Sequence, residues 1–368
     1  MPRYGYNPNS YTIMKIKREI RNTIATGCVL ASVFAGSLKA DEVYSQIVGA
    51  VAIDLPASSD VIVSFPFKRG TAYKGSVESA TLDGFNMNLN IAGAPFQGDQ
   101  FQTADDGFSS HYVQFETGNL KGLWADISSN TTGAIVIEGD EDIGDFQSQV
   151  TSGDLFTVYS QWTLDAAFPN GVASTEEAEA GLRTIEVIVP SYDSPAGSMT
   201  AEAIYFYADG AWQKFGAALS SDSPFGQAAF APDQAAVIRN NGGDALTGYF
   251  FGEVSTAPIA IELGMDASGA IDHFVGIGRP LDVAIEDLGL ESIFTSTDDR
   301  LLVYSLDASG KNKTPVAEYY YESTSWKKDG SAGDFGSDVV AVNMGIAVRK
   351  AAGTGDDVYW VNEWSLPQ

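Results

Sequence analysis

The sequence predicts a mainly β protein of sandwich or barrel modules with short helices, and two observations carry that prediction. Short β-branched and aromatic runs recur along the chain, separated by Gly, Asn, Asp and Pro. In the C-terminal half a β unit of about fifty residues is also duplicated. The first copy opens Ile204-Tyr205-Phe206-Tyr207, reaches Trp212 and Arg239, and closes Tyr249-Phe250-Phe251-Gly252-Glu253. The second opens Glu318-Tyr319-Tyr320-Tyr321, reaches Trp326 and Arg349, and closes Tyr359-Trp360-Val361-Asn362-Glu363. The last opening Tyr precedes the Trp by five residues in both copies, and the Arg precedes the closing Glu by fourteen. Only the Trp-to-Arg connection differs, 27 residues against 23, which is where a surface loop varies.

A chain of 368 residues has room for two ordinary domains, and 44% hydrophobic residues suffice for a core. The net charge of −27 speaks against nucleic acid, whose phosphates need clustered Lys and Arg, and against anionic membrane surfaces. Residues 1–40 read as a signal peptide with Met14 as an alternative start. Lys15, Lys17, Arg18 and Arg21 precede a small-sided apolar run ending at Leu38-Lys39-Ala40. Cys28, the only cysteine, lies in that segment, so the mature chain must be held by packing without disulfides. No later stretch has the length and apolarity of a spanning helix, so no transmembrane segment is expected in the mature chain. The chain is therefore expected to be secreted or held at the cell surface.

An N-terminal β domain is expected over 41–172. Residues 47–53 and 61–65 read as two strands around the turn 55–60, with Pro66 ending the second because it cannot donate to a ladder. Further strands are expected at 76–80, 86–91, 112–115, 134–137 and 155–159. Ser174-Thr175-Glu176-Glu177 has the form of a capping box for a two-turn helix ending at Gly181. Residues 191–198 read as a linker, and a C-terminal β domain is expected over 183–368 with its units at about 202–254 and 317–364. Gly242-Gly243 predicts a hairpin joining the Arg239 strand to the Tyr249 strand. In such a hairpin Arg239 and Glu253 lie on the order of 20 Å apart, so each needs its own partner.

Several segments, in order, resemble a family of secreted proteins of unknown function found chiefly in Verrucomicrobia. They are Leu55 to Asp60 with Val63 to Phe67, Gly118 to Gly122, Gly153-Asp154-Leu155-Phe156, Trp162-Thr163-Leu164, Phe168-Pro169, Gly278-Arg279-Pro280, Asp287 to Leu290 and Tyr319 to Trp326. The family's Pro-Gly turn before the arginine is replaced here by Pro232-Asp233-Gln234 and Asn343-Met344-Gly345. The resemblance implies a secreted β-rich protein and no particular activity.

Nucleophile chemistry has little to work with: there is no Gly-x-Ser-x-Gly elbow, no mature cysteine, and only His111 and His273. Glu138, Asp140, Asp142 and Asp145 offer oxygen donors that could hold calcium, although acidic tips mostly just face water. No other cofactor is indicated. Tyr205, Tyr207, Trp212, Tyr319, Tyr321 and Trp326 are candidate ligand-binding rings, with core packing as the competing role. Arg239 and Arg349 are expected to be structural. The leading expectation is a non-catalytic surface or matrix protein binding glycan or other surface proteins. An extracellular carbohydrate-active hydrolase and a calcium-organised structural component remain open. Two facing carboxylates flanked by Trp would favour the hydrolase, flat exposed aromatics the binding protein, and calcium-dependent melting the third.

Overall fold

The computed structural model describes residues 47–103, 107–139, 143–172, 183–191, 194–306, 309–353 and 358–365, so the signal-peptide segment and the helix expected near 174–181 lie outside it. The described chain is mainly β, as predicted. Val48–Leu55 (β1) alternates, burying Ile53 and Leu55 while Val48, Ala50 and Ala52 face outward; Ser59–Ser64 (β2) is buried throughout. A strand covered on one face reads as alternation, and one covered on both reads as a continuous apolar run such as Val61-Ile62-Val63.

Next come Arg69–Ser76 (β3), Ser79–Asp83 (β4), Asn86–Asn90 (β5), His111–Phe115 (β6), Trp124–Asn130 (β7), Ala134–Glu138 (β8) and Leu155–Ser160 (β9). They form one antiparallel sheet in the order β3-β9-β6-β7-β8-β5-β4. Ile143–Gln149 (α1) presses Ile143 and Phe146 onto one face, where Leu89, Val113, Phe115, Ile135 and Val158 form the core.

Trp162–Thr163 (β10) leads into Leu164–Ala167 (α2), whose first turn is capped by the Thr163 hydroxyl accepting from the Ala166 amide at 3.2 Å. Ile185–Pro190 (β11), Ser194–Pro195 (β12), Ala201–Ala208 (β13), Ala211–Lys214 (β14), Ala229–Phe230 (β15), Ala235–Asn240 (β16) and Leu246–Glu253 (β17) follow. The chain ends through Ile259–Leu263 (β18), Ile271–Gly276 (β19), Val283–Ala284 (β20), Arg300–Val303 (β21), Ala317–Glu322 (β22), Ser325–Lys328 (β23), Val339–Val340 (β24), Gly345–Lys350 (β25) and Val358–Asn362 (β26).

These last strands build two assemblies with one layout. The first has a sheet β14-β13-β11-β16-β2 and a ribbon β1–β17; the second has β23-β22-β21-β25-β19, extended by β12, and a ribbon β18–β26. Registers correspond. Tyr207 faces Trp212 as Tyr321 faces Trp326, Val187 faces Tyr205 as Leu301 faces Tyr319, and Val51 faces Phe250 as Ile261 faces Trp360. The first assembly therefore draws β1 and β2 from the segment that sequence reading gave to an N-terminal domain over 41–172. Hydrogen bonding to β17 and β16 places those strands with the C-terminal half, and β3–β9 becomes a sheet inserted between β2 and β10. Local pattern identifies a strand but not a partner nearly two hundred residues away.

The expected hairpin at Gly242-Gly243 does not form. β16 pairs with β11 and β2 while β17 pairs with β1, so the turn carries the chain from sheet to ribbon. Arg239 and Glu253 are still unpaired with each other, but because they sit in different layers. The expected linker 191–198 is likewise in use, since Ser194 and Pro195 pair with Asp272 and Ile271 of the other assembly.

The two sheets meet face to face through Ile62, Ile188, Val237, Phe274, Leu302 and Ala347. The contact is reciprocal: the Ser64 amide donates to the Asn343 carbonyl at 3.1 Å, and the Gly276 amide to the Asp233 carbonyl at 2.8 Å. Gly345 is required at this seam, because a Cβ there would meet Ile62 Cγ2 at 2.7 Å and Ala235 Cβ at 2.9 Å.

Candidate functional site

Most of the rings singled out by the sequence lie in the cores. Trp212 is 1% and Trp326 3% exposed, and Tyr205 and Tyr319 are also buried. Tyr207 and Tyr321 are half-buried and pack on those indoles at ring distances of 5.8 and 5.4 Å. Trp212 Nε1 donates to the Phe168 carbonyl at 3.1 Å, pinning α2 to the sheet. None of the six forms an open platform: alternation put Tyr205 and Tyr319 on the core face, and each Trp closes over the edge of that core.

Arg239 and Arg349 are fixed in matching ways. Arg239 grips buried Asp60 with Nε to Oδ1 at 2.7 Å and Nη2 to Oδ2 at 2.9 Å; Arg349 grips buried Asp272 at 2.6 and 2.9 Å. The bonds to the carboxylates push both guanidinium pKa values further up. Each pair is then closed by a loop of the other assembly. The Asn312 amide donates to Asp60 Oδ2 at 2.7 Å, and the Gly197 amide to Asp272 Oδ2 at 2.8 Å. These arginines therefore tie the two halves together.

Of the acidic cluster, Glu138 ends β8 and Asp145 is exposed in the first turn of α1, while Asp140 and Asp142 fall outside the described residues. Among the described residues no group of three or more His, Cys, Asp or Glu side chains could hold a metal ion. His111 lies between the Ser110 and Ser160 hydroxyls at 2.8 and 3.3 Å, and burial followed by nearby Arg69 lowers its pKa to about 4. A neutral ring between two hydroxyls packs the sheet, and among the described residues no carboxylate bonds it as one does to orient a catalytic base. His273 is buried, with Nε2 2.9 Å from the Gly264 carbonyl.

Two other places combine chemistry with access. The first is the outer face of the ribbon β1–β17. Tyr249 and Phe251 are 58% and 57% exposed and lie nearly parallel at 6.3 Å, opposite Ala52 and Ala50. Val48 continues this apolar strip. At one end Thr247 Oγ1 donates to Asp54 Oδ1 at 3.0 Å, and at the other the Glu253 carboxylate accepts from the Thr71 amide at 3.2 Å. The corresponding face of β18–β26 is covered over Ala260 and Tyr359, while Val361, the counterpart of Phe251, stays 42% exposed. Ala260 joins the core of the inserted sheet, Tyr359 packs against that core, and the Ala260 amide donates to the Gly122 carbonyl at 2.9 Å. One face of a shared layout is thus partly closed by the insertion, and its counterpart is open.

The second is a crevice where the inserted sheet meets the 253–258 connection and the turn before β16. Lys68 Nζ lies 5.4 and 5.6 Å from the ring centres of Tyr112 and Tyr159, which stack at 5.4 Å, and Trp124 stands edge-on to Tyr112 at 6.0 Å. Asp126 and Asp233 share the site. Burial raises Asp126 to about 7, with the Gln161 amide opposing and Asp233 adding to the rise. Burial raises Asp233 to about 6, held down in part by Lys68 and by the Trp124 indole, which faces it without reaching hydrogen-bond geometry. Burial also lowers Lys68 to about 8, opposed by Asp233. Lys68 and Asp126 are part-exposed, whereas Asp233 is almost fully buried. Gln114 Oε1, Gln161 Oε1 and Trp124 Nε1 are buried there without a hydrogen-bond partner.

Local sequence gave no sign of Lys68, Asp126 and Asp233 as a group, because they come from three distant segments. Tyr249-Phe250-Phe251 did carry a signal: period-two alternation turns Phe250 one way and its neighbours the other. Which side faced water depended on the insertion. Compared with protein-family models, curated proteins and solved structures, the chain matches none of them.

Proposed function

We propose that this is an exported, non-catalytic binding protein of a cell surface or extracellular matrix, engaging its ligand through the outer face of β1–β17. The observation that carries the reading is the exposed Tyr249–Phe251 pair, on a ribbon face whose counterpart is largely covered at Ala260 and Tyr359. Two large rings held in water at one place are the usual mark of a contact surface. Export rests on the basic and apolar run of residues 14–40, and the resemblance to a secreted family accords with it. The matched spacing and registers support an origin by duplication, with the inserted sheet gained by one copy. The test is a glycan-array and surface-protein binding screen of the mature chain beside the Tyr249→Ala/Phe251→Ala variant. Binding lost at unchanged melting temperature supports the reading; binding indifferent to both substitutions overturns it.

The crevice favours a second reading, a carbohydrate-active hydrolase. Asp126 and Asp233 are two carboxylates flanked by Trp124, with pKa values raised towards the range of a general acid. The near-complete burial of Asp233 weakens it for a polymeric substrate. Reducing-sugar release from a polysaccharide panel decides: turnover abolished by Asp126→Asn and by Asp233→Asn would establish it, and no turnover by the unsubstituted protein would end it.

A further inference from the structure

We infer that the ligand of the open β1–β17 face is an extended neutral polysaccharide, an inference that rests on the binding reading above. Tyr249 and Phe251 stand two residues apart on one strand face, and Ala52 and Ala50 opposite them leave a shallow step beside the rings. A pyranose ring presents an apolar C–H face that lies against an aromatic ring while its hydroxyls point sideways. The groups at the ends of the strip suit those hydroxyls. The Asp54 carboxylate and Thr247 hydroxyl lie at one end and the Glu253 carboxylate at the other, each already in a hydroxyl hydrogen bond. A carboxylate accepting from a sugar hydroxyl makes a charge-assisted bond of the stronger kind.

Area and charge favour this occupant over others. The two rings by themselves offer on the order of 300 Å², so a protein partner needing ~800 Å² would have to extend well beyond them. A second copy of the chain would also bring together two molecules of net charge −27. The same charge, with Asp54 and Glu253 at the ends of the strip, repels uronic-acid and sulfated glycans. A neutral chain meets none of these penalties and can run along the strip past both rings.

The experiment is affinity electrophoresis and pull-down of the mature chain with cellulose derivatives, β-1,3-glucan, mannan, alginate and a sulfated galactan. It uses the unsubstituted protein and the Tyr249→Ala/Phe251→Ala variant, each with a melting curve, at low and high salt. At least one neutral polymer should be retarded, with binding at least ten-fold weaker in the variant and little changed by salt. Preferential binding of alginate or the sulfated galactan, lost in the variant, would overturn the neutral ligand while leaving the binding face in place. Neutral-polymer binding unaffected by the variant would overturn both. Failure to bind any polymer, with concentration-dependent dimers abolished in the variant, would replace the polysaccharide with a second copy.

Discussion

The ribbons β1–β17 and β18–β26 share a register and an inward-facing aromatic, Phe250 in one and Trp360 in the other, both almost fully buried. Their outer faces have separated. Against the inserted sheet the second ribbon carries Ala260 and Tyr359, with Val361 still exposed beside them; in the open the first carries Ala50, Ala52, Tyr249 and Phe251. The inner faces diverge more quietly. Asn240 bonds the Leu55, Pro56 and Asp244 carbonyls, whereas the matching position in the second assembly is Lys350, ion-paired to Asp299 at 2.9 Å with both side chains buried. A scaffold kept by packing on one side is free to change wherever it meets something different on the other.

The comparison is tested hardest in the cores. Trp212→Ala and Trp326→Ala should each cost about 3–5 kcal/mol by chemical denaturation, since each deletes a buried indole. Losses differing several-fold would mean that the two indoles do unlike work. Next come the clamps. Arg239→Ala or Arg349→Ala leaves a buried aspartate without its guanidinium and should cost about 3 kcal/mol. Because each clamp is closed by the opposite assembly, hydrogen exchange should rise in both halves for either variant; a rise confined to the mutated half would break the reciprocity.

The crevice has no counterpart between the assemblies, and pH addresses it. Asp126 at about 7 and Asp233 at about 6 lie above the ordinary value of 3.8, so the folded state holds protons that the unfolded chain has released. Their contribution is full below about pH 4 and is lost as pH rises through 7. Lys68, lowered to about 8 from 10.5, acts in the other direction: its contribution returns as pH climbs from about 8 to 10.5. Asp126→Asn should therefore flatten the fall in unfolding free energy between pH 4 and 7, by on the order of 2 kcal/mol. An unchanged slope would show that this carboxylate titrates normally. The smallest stability effect belongs to the open face: Tyr249→Ala should change stability by less than about 0.5 kcal/mol, and Tyr359→Ala, under the insertion, by distinctly more. Equal effects would mean that Tyr249 is covered as well.

Strand by strand, the β character was legible at Val61-Ile62-Val63, at Ala134 to Ile137 and in both aromatic openings, where short β-branched runs end at turn residues. The turn at Gly242-Gly243 was legible as a turn and misleading as a hairpin, because glycine permits the reversal without choosing which layer receives the next strand. Trp212 and Trp326 were visible as a matched pair, and their burial follows from size and apolarity. Asp60 and Asp272 were invisible as clamp partners, lying 179 and 77 residues from the arginines they bind.

Composition and periodicity by themselves determined a β-rich chain, since those features act over a few residues at a time. The partners of β1 and β2, the loops exchanged across the seam, and which of two equivalent faces met the solvent were decided only by the tertiary structure. Those outcomes depend on segments far apart in the chain competing to cover the same apolar surface, and no local pattern records which of them succeeds.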